Sequence, residues 1–261
     1  MKYLFILTTL FILVVNSFAQ KSDVVSIQKK DLAFKYLQTG NSTYVVYFKK
    51  TEDGPAEKIT LIKINVAPTN LNGKKAYAIT QQWDSGDAVT HTAYTVHDAE
   101  DFSTLRHDIW WKSRNFTAKF DFSTKQVSLE GAAVDESAKS KISQDFKRSF
   151  ASYNLCWHSD LTIFPLFPYK AGRVFKVNFY DPGAGESKIA EYTVTGSEFL
   201  TGSGGERIDS WIMERKSEIP SGGTYVQRFW ISKKTQEVLK EEDKYPGGLR
   251  FKMKVGISGE K

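Results

Sequence analysis

SFASYNLCWHSDLTIFPLFPYKAGR, residues 149–173, is the longest apolar and aromatic segment of the chain beyond its N-terminal twenty residues, and β-patterned sequence lies on both sides of it. Pro165 and Pro168 lack a backbone donor and restrict the residues before them, so the segment cannot continue as one helix. We predict a short helix or turn over residues 153–161, followed by extended chain that leads into a strand at Arg173. Because so many large apolar side chains must be buried or must cover a surface, we interpret residues 149–172, the connector, as a plug or lid that joins two β halves.

Outside the connector, apolar side chains recur with a period of two. In residues 115–122, Phe116, Ala118, Phe120 and Phe122 alternate with polar residues, a pattern typical of a sheet with one solvated face. Turn sequences such as those at residues 72–73 and 85–87 separate about a dozen strands, including strands over residues 58–66 and 189–194. The fold class is therefore all-β and antiparallel, and helix is confined to residues 30–37, 132–148 and 153–161.

A faint internal repeat relates the two halves. Three pairs of residues share a spacing of 128 positions, and these are Asp53 with Asp181, Val66 with Val194, and Trp83 with Trp211. Such agreement arises either by duplication or because β-meanders resemble one another. We predict one combined domain with an N-terminal β half (residues 20–148), the connector, and a C-terminal β half (residues 173–261).

Residues 1–19 have the pattern of a signal peptide. Lys2 precedes an apolar run over residues 3–15, and Ser17 and Ala19 are the small residues that a signal peptidase recognises. The run is shorter than the roughly 20 residues of a membrane span, and no cysteine follows it to carry a lipid anchor. The expected location is therefore exported, periplasmic or extracellular, and soluble after cleavage.

Charge and cysteine content exclude several classes of protein. The net charge of +6 comes from lysines that alternate with acids, whereas a nucleic-acid-binding face gathers its basic residues. The charge permits weak attraction to an anionic membrane or glycan surface. Cys156 is the single cysteine, so no internal disulfide can form and the fold depends on its core.

Several motifs of the second half, in order along the chain, resemble a family of exported bacterial proteins with a domain of unknown function. They are LFPYKAGR at residues 166–173, FYDP at 179–182, DSW at 209–211 and FWISKKTQEVLK at 229–240. These proteins are similar to the lipoprotein-carrier (LolA-like) half-barrels, and the likeness covers about residues 160–255. It implies a curved antiparallel sheet, or half-barrel, that is closed by helices over an apolar concave face. Ser210 departs from the family, whose members often have cysteine there, and no catalytic residue follows from the resemblance.

Two groups of residues suggest chemistry. Cys156, His158 and Asp160 lie close enough in sequence for a nucleophilic pair, although a free cysteine commonly serves as a small apolar side chain. His91 and His97 share one strand face, and His107 and Asp108 fall on a later strand, so metal ligands could converge there. No short zinc-type spacing appears, and the ordinary alternative is hydrogen-bonded surface histidines. We therefore predict no catalytic residue, no metal and no cofactor. Likewise, Glu241, Glu242 and Asp243 are interpreted as a solvated edge strand.

The aromatic residues give the strongest indication of a binding surface. Trp110 and Trp111 are adjacent in a strand, as are Phe229 and Trp230, so the members of each pair must point to opposite faces of the sheet. A sheet that is apolar on both faces is covered on both or presents one face to a ligand. The predicted ligand-binding residues are Trp110, Trp111, Phe164, Leu166, Phe167 and Trp230.

These observations favour an exported, non-enzymatic binding or carrier protein with a hydrophobic groove. Its partner would be a lipid, an acyl chain or a lipoprotein of the cell envelope, with peripheral membrane contact as a further option and no role for nucleic acid. The first alternative is a structural or adhesive envelope module that contacts glycan or protein. The second is a hydrolase that uses Cys156 and His158.

Overall fold

A computed structural model describes residues 23–131, 134–149, 153–181, 185–219 and 222–257. The predicted signal peptide lies outside these ranges. The first meander consists of β2 (Gly40–Lys49), β3 (Glu57–Leu71), β4 (Lys74–Ser85), β5 (Ala88–Asp98), β6 (Thr104–Trp111), β7 (Phe116–Asp121) and β8 (Gln126–Glu130). The second consists of β10 (Val174–Tyr180), β11 (Lys188–Thr201), β12 (Arg207–Glu218), β13 (Thr224–Ser232), β14 (Val238–Tyr245) and β15 (Gly248–Lys254). Two short strands, β1 (Val24–Ser26) and β9 (Leu155–Cys156), complete the sheet.

The two meanders form one curved sheet because β15 pairs antiparallel with β2. Strand order is β1-β10-β11-β12-β13-β14-β15-β2-β3-β4-β5-β6-β7-β8, and in the described part of the chain the sheet does not close into a barrel. Both short strands run parallel to β10, with β1 opposite Val174 and β9 opposite Phe179 and Tyr180. The predicted fold class, an all-β curved antiparallel sheet, is confirmed.

Two strands extend beyond their predicted ends, and in both the extension is paired on one side only. β3 reaches Leu71 although its pairing with β2 stops at Val66, and β11 reaches Thr201 although its pairing with β10 stops at Thr193. Past these points each strand is bonded on one side only. Pro68 is tolerated there because a residue without a backbone donor fits a strand whose other edge is free.

The helical predictions need three corrections. Residues 30–37 form two 3-10 turns, Lys29–Asp31 and Phe34–Tyr36, in place of one helix. The predicted helix at 132–148 is α1 (Glu136–Arg148), because the Asp135 carboxylate accepts a hydrogen bond from the Ala138 amide and begins the helix. Residues 132–133 lie outside the described ranges.

The third correction concerns the connector. It contains a 3-10 turn (Trp157–Ser159), the short helix α2 (Asp160–Ile163) and a second 3-10 turn (Phe164–Leu166). The prediction that helical structure stops before the prolines was wrong for Pro165, which lies inside the second turn. A proline is accommodated there because the first residues of a helical turn need no backbone donor.

The connector packs against one face of the sheet, which we call the inner face. Its Phe164, Leu166 and Phe167 are all 0% exposed. The main core consists of these side chains, other connector residues and inward-facing residues of both meanders. A second core lies between α1 and strands β5 to β8, with Phe120, Phe122 and Phe146 in ring contact. Among the described residues, no helix is long and apolar enough to cross a membrane.

Candidate functional site along the connector

Residues of the connector and of the inner face together form three chemically different groups of side chains. The first is the aromatic cluster, which consists of Phe164, Phe167, Phe175, Phe179, Tyr192 and Phe229. Ring centroids lie 4.8 Å apart for Phe164 and Phe229, and 5.1 Å apart for Phe164 and Tyr192. Burying one large apolar side chain contributes about 1.5–3 kcal/mol. The burial of Phe164, Leu166 and Phe167 therefore approaches the total stability of a typical domain, about 5–15 kcal/mol, and the connector acts as a plug.

The second group is the ion network, which consists of Asp160, Glu241, Asp243, Arg250 and Lys252. Glu241 lies opposite Lys252 in the β14–β15 ladder, and their charged atoms are 2.5 Å apart. Arg250 donates to Asp243 through Nε at 2.6 Å and lies 3.2 Å from the Glu241 carboxylate. Lys252 also reaches Asp160 of α2, at 4.0 Å.

The interpretation of Glu241, Glu242 and Asp243 as a solvated edge is therefore wrong. Glu241 and Asp243 are each 1% exposed, and β14 lies between β13 and β15. Burial raises the pKa of Glu241, and the positive charge of Lys252 opposes that rise. The sequence contained a signal for this network: the two acids and the two bases are placed symmetrically about Pro246-Gly247, the turn that joins β14 to β15.

The third group is the histidine cluster, which consists of His91, His107, Cys156 and His158. His91 and His107 come from β5 and β6, and Cys156 and His158 come from β9 and the turn that follows it. The ring centroids of His107 and His158 are 4.8 Å apart, and those of His91 and His158 are 5.6 Å apart. One ligand atom from each of His107, Cys156 and His158 lies within 4.8 Å of the others.

Buried placement of the histidines corrects the expectation of surface histidines. His91, His97 and His107 are each 0% exposed. His91 and His97 do share the inner face, because His91 lies beside His158 and His97 bonds to Ser159, both in the connector. Burial lowers the pKa of His91 to about 4 and that of His158 to about 3, so both are neutral at physiological pH.

The residues considered as convergent ligands do not all converge. His97 is satisfied at both ring nitrogens, by the Phe102 carbonyl and the Ser159 hydroxyl, each at 2.9 Å. Asp108 forms an ion pair with Arg106 at 2.6 Å, away from His107, the neighbour that points to the inner face. Sequence reasoning missed the convergence of Cys156 and His158 with β5 and β6, because only the folded connector brings them together.

The predicted ligand-binding residues lie on both faces of the sheet. Trp111 stacks on His91 at 3.6 Å, on the inner face, whereas Trp110 lines a hollow on the outer face with Tyr94 and threonines of neighbouring strands. Trp230 also faces outward, where its Nε1 donates to Glu198 at 3.0 Å and Lys240 lies 4.0 Å from its ring. The alternation of each adjacent aromatic pair is confirmed, but the six residues do not form one groove.

Cys156 is fully buried, and burial raises the pKa of its thiol far above the ordinary value. The backbone amide of His158 and the Thr95 hydroxyl donate hydrogen bonds to the sulfur and oppose that rise only in part. The thiol is therefore protonated at neutral pH, whereas nucleophilic catalysis uses the thiolate.

A cavity of about 250 Å³ opens between the connector and strands β10 to β13. Trp157, Phe179 and Ala190 provide apolar lining. The polar and charged lining residues are Asp181, Glu186, Lys188, Arg215, Tyr225 and Gln227. Arg215 donates to Gln227 at 3.3 Å, and burial raises the pKa of Asp181 to about 6. Sequence reasoning did not identify this cavity, which depends on how far the connector fills the inner face.

Residues 43–254 match a protein family of unknown function, DUF3108. The chain belongs to this family. The match spans the sheet from β2 to β15 together with the connector, and it confirms the prediction of a domain-of-unknown-function family. No curated protein matches the chain.

The solved structures that are similar to the chain include two bacterial proteins. One is the beta-barrel-like protein of domain of unknown function DUF1849 from Brucella abortus, with 9% sequence identity over 82% of this chain and 94% of that one, and a TM-score of 0.38. The other is the hypothetical lipoprotein YmcC from Escherichia coli, with 13% identity over 86% and 88% of the two chains and a TM-score of 0.32.

Proposed function

We propose that this protein is an exported, non-enzymatic binding protein that holds the apolar part of an amphipathic ligand in the cavity beside Trp157. The ligand class is an acyl chain, a lipid or the acylated segment of a lipoprotein. The observation that carries the proposal is the cavity itself, because its lining includes both apolar side chains and charged groups. An amphipathic ligand needs both kinds of surface.

The size of the cavity limits what it can hold. Ligand cavities in proteins commonly measure about 300–1,000 Å³, and this cavity measures about 250 Å³. It therefore accommodates a short apolar segment, with the rest of the ligand outside. Arg215 and Lys188 can approach a negatively charged head group, and Asp181 and Glu186 can approach a positively charged one.

Because the connector is deeply buried, a binding site in the cavity at its edge is favoured, and a groove beneath the connector is not. Opening the aromatic cluster would expose several fully buried rings, whereas the cavity beside Trp157 is already open. The protonated Cys156 thiol supports the non-enzymatic part of the proposal.

The outer-face hollow supports the alternative of an adhesive envelope module. It measures about 340 Å³, and its lining residues include Trp110, Tyr94, Asp108 and three threonines. An aromatic side chain beside polar residues suits a sugar ring. The two functions use different tryptophans on opposite faces, so matched substitutions separate them.

The test is a titration of the folded protein with a fluorescent fatty acid and, separately, with a soluble oligosaccharide. We expect fatty-acid binding that weakens at least tenfold in Trp157→Ala and in Ala190→Leu, which fills the cavity without removing a contact. Trp110→Ala is the matched control and should leave fatty-acid binding unchanged.

No fatty-acid binding to the wild type at tens of micromolar, about −6 kcal/mol, would refute the proposal. Oligosaccharide binding that is lost in Trp110→Ala and kept in Trp157→Ala would establish the adhesive module in its place. Thermal melting of each variant shows that it is folded.

A further inference from the structure

The histidine cluster contains three buried ring nitrogens without a hydrogen-bond partner: His91 Nε2, His107 Nε2 and His158 Nδ1. Each unpaired buried polar atom costs about 1–3 kcal/mol. Most buried polar atoms in native proteins are paired, so three orphans within one cluster require an explanation. The ring centroids of His91 and His107 lie 5.6 Å and 4.8 Å from that of His158, and one ligand atom from each of His107, Cys156 and His158 lies within 4.8 Å of the others.

The hydrogen bonds around the cluster show which nitrogens carry lone pairs. The Trp110 carbonyl can only accept, so His91 must donate to it through Nδ1, at 2.7 Å, and Nε2 then has a free lone pair. His107 Nδ1 lies 2.8 Å from the Thr95 hydroxyl. In the tautomer in which Nδ1 donates to that hydroxyl, His107 Nε2 also carries a free lone pair.

A donor set of two imidazoles and one thiol suits a thiophilic late transition-metal ion. Imidazole and thiolate are the preferred ligands of Zn²⁺, whereas carboxylate sites suit Mg²⁺ and Ca²⁺. A metal-bound histidine usually donates its other ring N–H to an acceptor that fixes its orientation. Thr95 already holds His107 in this way.

The distances allow such a site after a small adjustment. Tetrahedral Zn²⁺, with Zn–S of about 2.3 Å and Zn–N of about 2.0–2.1 Å, requires nitrogen and sulfur atoms about 3.6 Å apart. The three ligand atoms lie within 4.8 Å of one another, so they must approach by little more than 1 Å. His158 belongs to a short 3-10 turn and is only partly buried, so the adjustment falls on a residue at the edge of the packed interior.

We propose that His107, Cys156 and His158 form a binding site for a thiophilic transition-metal ion, with Zn²⁺ as the expected occupant and His91 as a neighbour of His158. The site goes beyond the proposed binding function, which requires no metal. Because the ion lies between β5, β6 and the connector, it links the first meander to the plug.

Binding follows a simple proton balance. The imidazoles are neutral and give up no proton, whereas the Cys156 thiol loses its proton when the sulfur–metal bond forms. One Zn²⁺ therefore binds with the release of one proton to the buffer. Metal coordination deprotonates the thiol even in its buried position.

The experiment uses the full mature chain, freed of metal with a chelator and then titrated with Zn²⁺ and, as a spectroscopic probe, with Co²⁺. We expect one ion per chain, a thiolate-to-cobalt charge-transfer absorption, and a binding enthalpy that changes with the ionisation enthalpy of the buffer. A 100-fold excess of Zn²⁺ over Kd should raise Tm by about 5–10 °C.

Two variants test the assignment independently. Cys156→Ser should abolish the charge-transfer absorption, and His158→Gln, at a partly exposed position, should weaken binding at least tenfold. His97→Gln is the control, because His97 is already satisfied at both nitrogens and should retain the absorption. Failure of the folded wild type to bind one ion, or the same absorption in folded Cys156→Ser, would overturn the proposal.

Discussion

The two ends of the connector differ in how completely their side chains are satisfied by neighbours, although both are buried against the same sheet. Phe164 contacts four aromatic rings and is 0% exposed. Around His158, three ring nitrogens have no partner and a thiol lies among them. The aromatic end is complete as it stands and supplies stability, whereas the histidine end has binding capacity left over. Asp160 lies between them and joins the ion network.

The largest expected effect is the loss of stability when a side chain of the aromatic end is removed. Phe164→Ala should lower the free energy of unfolding by about 4–5 kcal/mol, at the upper end for buried phenylalanine, because the side chain is fully enclosed and contacts four rings. Denaturant unfolding measures the change. Ile189→Ala, at a side chain that is 67% exposed, is the control and should change stability by no more than about 0.5 kcal/mol. A similar loss in both variants would contradict the plug.

The next effect concerns the ion network between the two ends. Glu241→Gln leaves the charge of Lys252 buried without its closest partner and should cost about 3 kcal/mol. The double variant Glu241→Leu with Lys252→Met should cost less than the sum of the single changes. A double-mutant cycle from chemical unfolding gives the coupling energy. Additive losses would show that the two charges do not interact.

The smallest expected effect is the pH dependence of the folding stability that His97 produces. Burial lowers the pKa of His97 to about 4, below the value of about 6.5 in the unfolded chain. The unfolded state therefore binds more protons between these values, so stability is full above about pH 6.5 and falls as the pH drops toward 4. One such histidine contributes a slope of about 1.4 kcal/mol per pH unit. The other buried histidines act in the same direction.

His97→Gln isolates this contribution, because it removes one titrating group and leaves the others in place. In the presence of a chelator, the slope of unfolding free energy against pH should be smaller in the variant by about 1.4 kcal/mol per pH unit, the contribution of one proton. Equal slopes for wild type and variant between pH 4 and 6.5 would show that folding leaves the pKa of His97 unchanged.

Most of the sheet was predictable because its strands have period-two patterning and its turns have recognisable chemistry. The strands predicted at residues 58–66 and 189–194 are found within β3 (Glu57–Leu71) and β11 (Lys188–Thr201). β1 and β9 were missed because strands of three and two residues are too short to show a period. They exist because β10 offers a free edge, which is a tertiary property.

The candidate site was less predictable because it depends on contacts between distant segments. Cys156 and His158 were identified as chemically interesting, and so were His91 and His107, but as separate groups. Only the path of the connector joins them. The symmetric placement of acids and bases about Pro246-Gly247 indicates that they pair across the turn, but it does not show that the pairs are buried, since charged strands have the same pattern in either case.

The seam between β15 and β2 has a consequence for the order of folding. Leu249 pairs with Lys49, about 200 residues earlier, so the seam forms only after the chain has closed a very long loop. Non-local pairings of this kind make folding slow. Until the seam closes, β2 and β15 both present unpaired edges that can associate with other chains. A chain interrupted before β15 would keep the edge of β2 open, and aggregation would then compete with completion of the sheet.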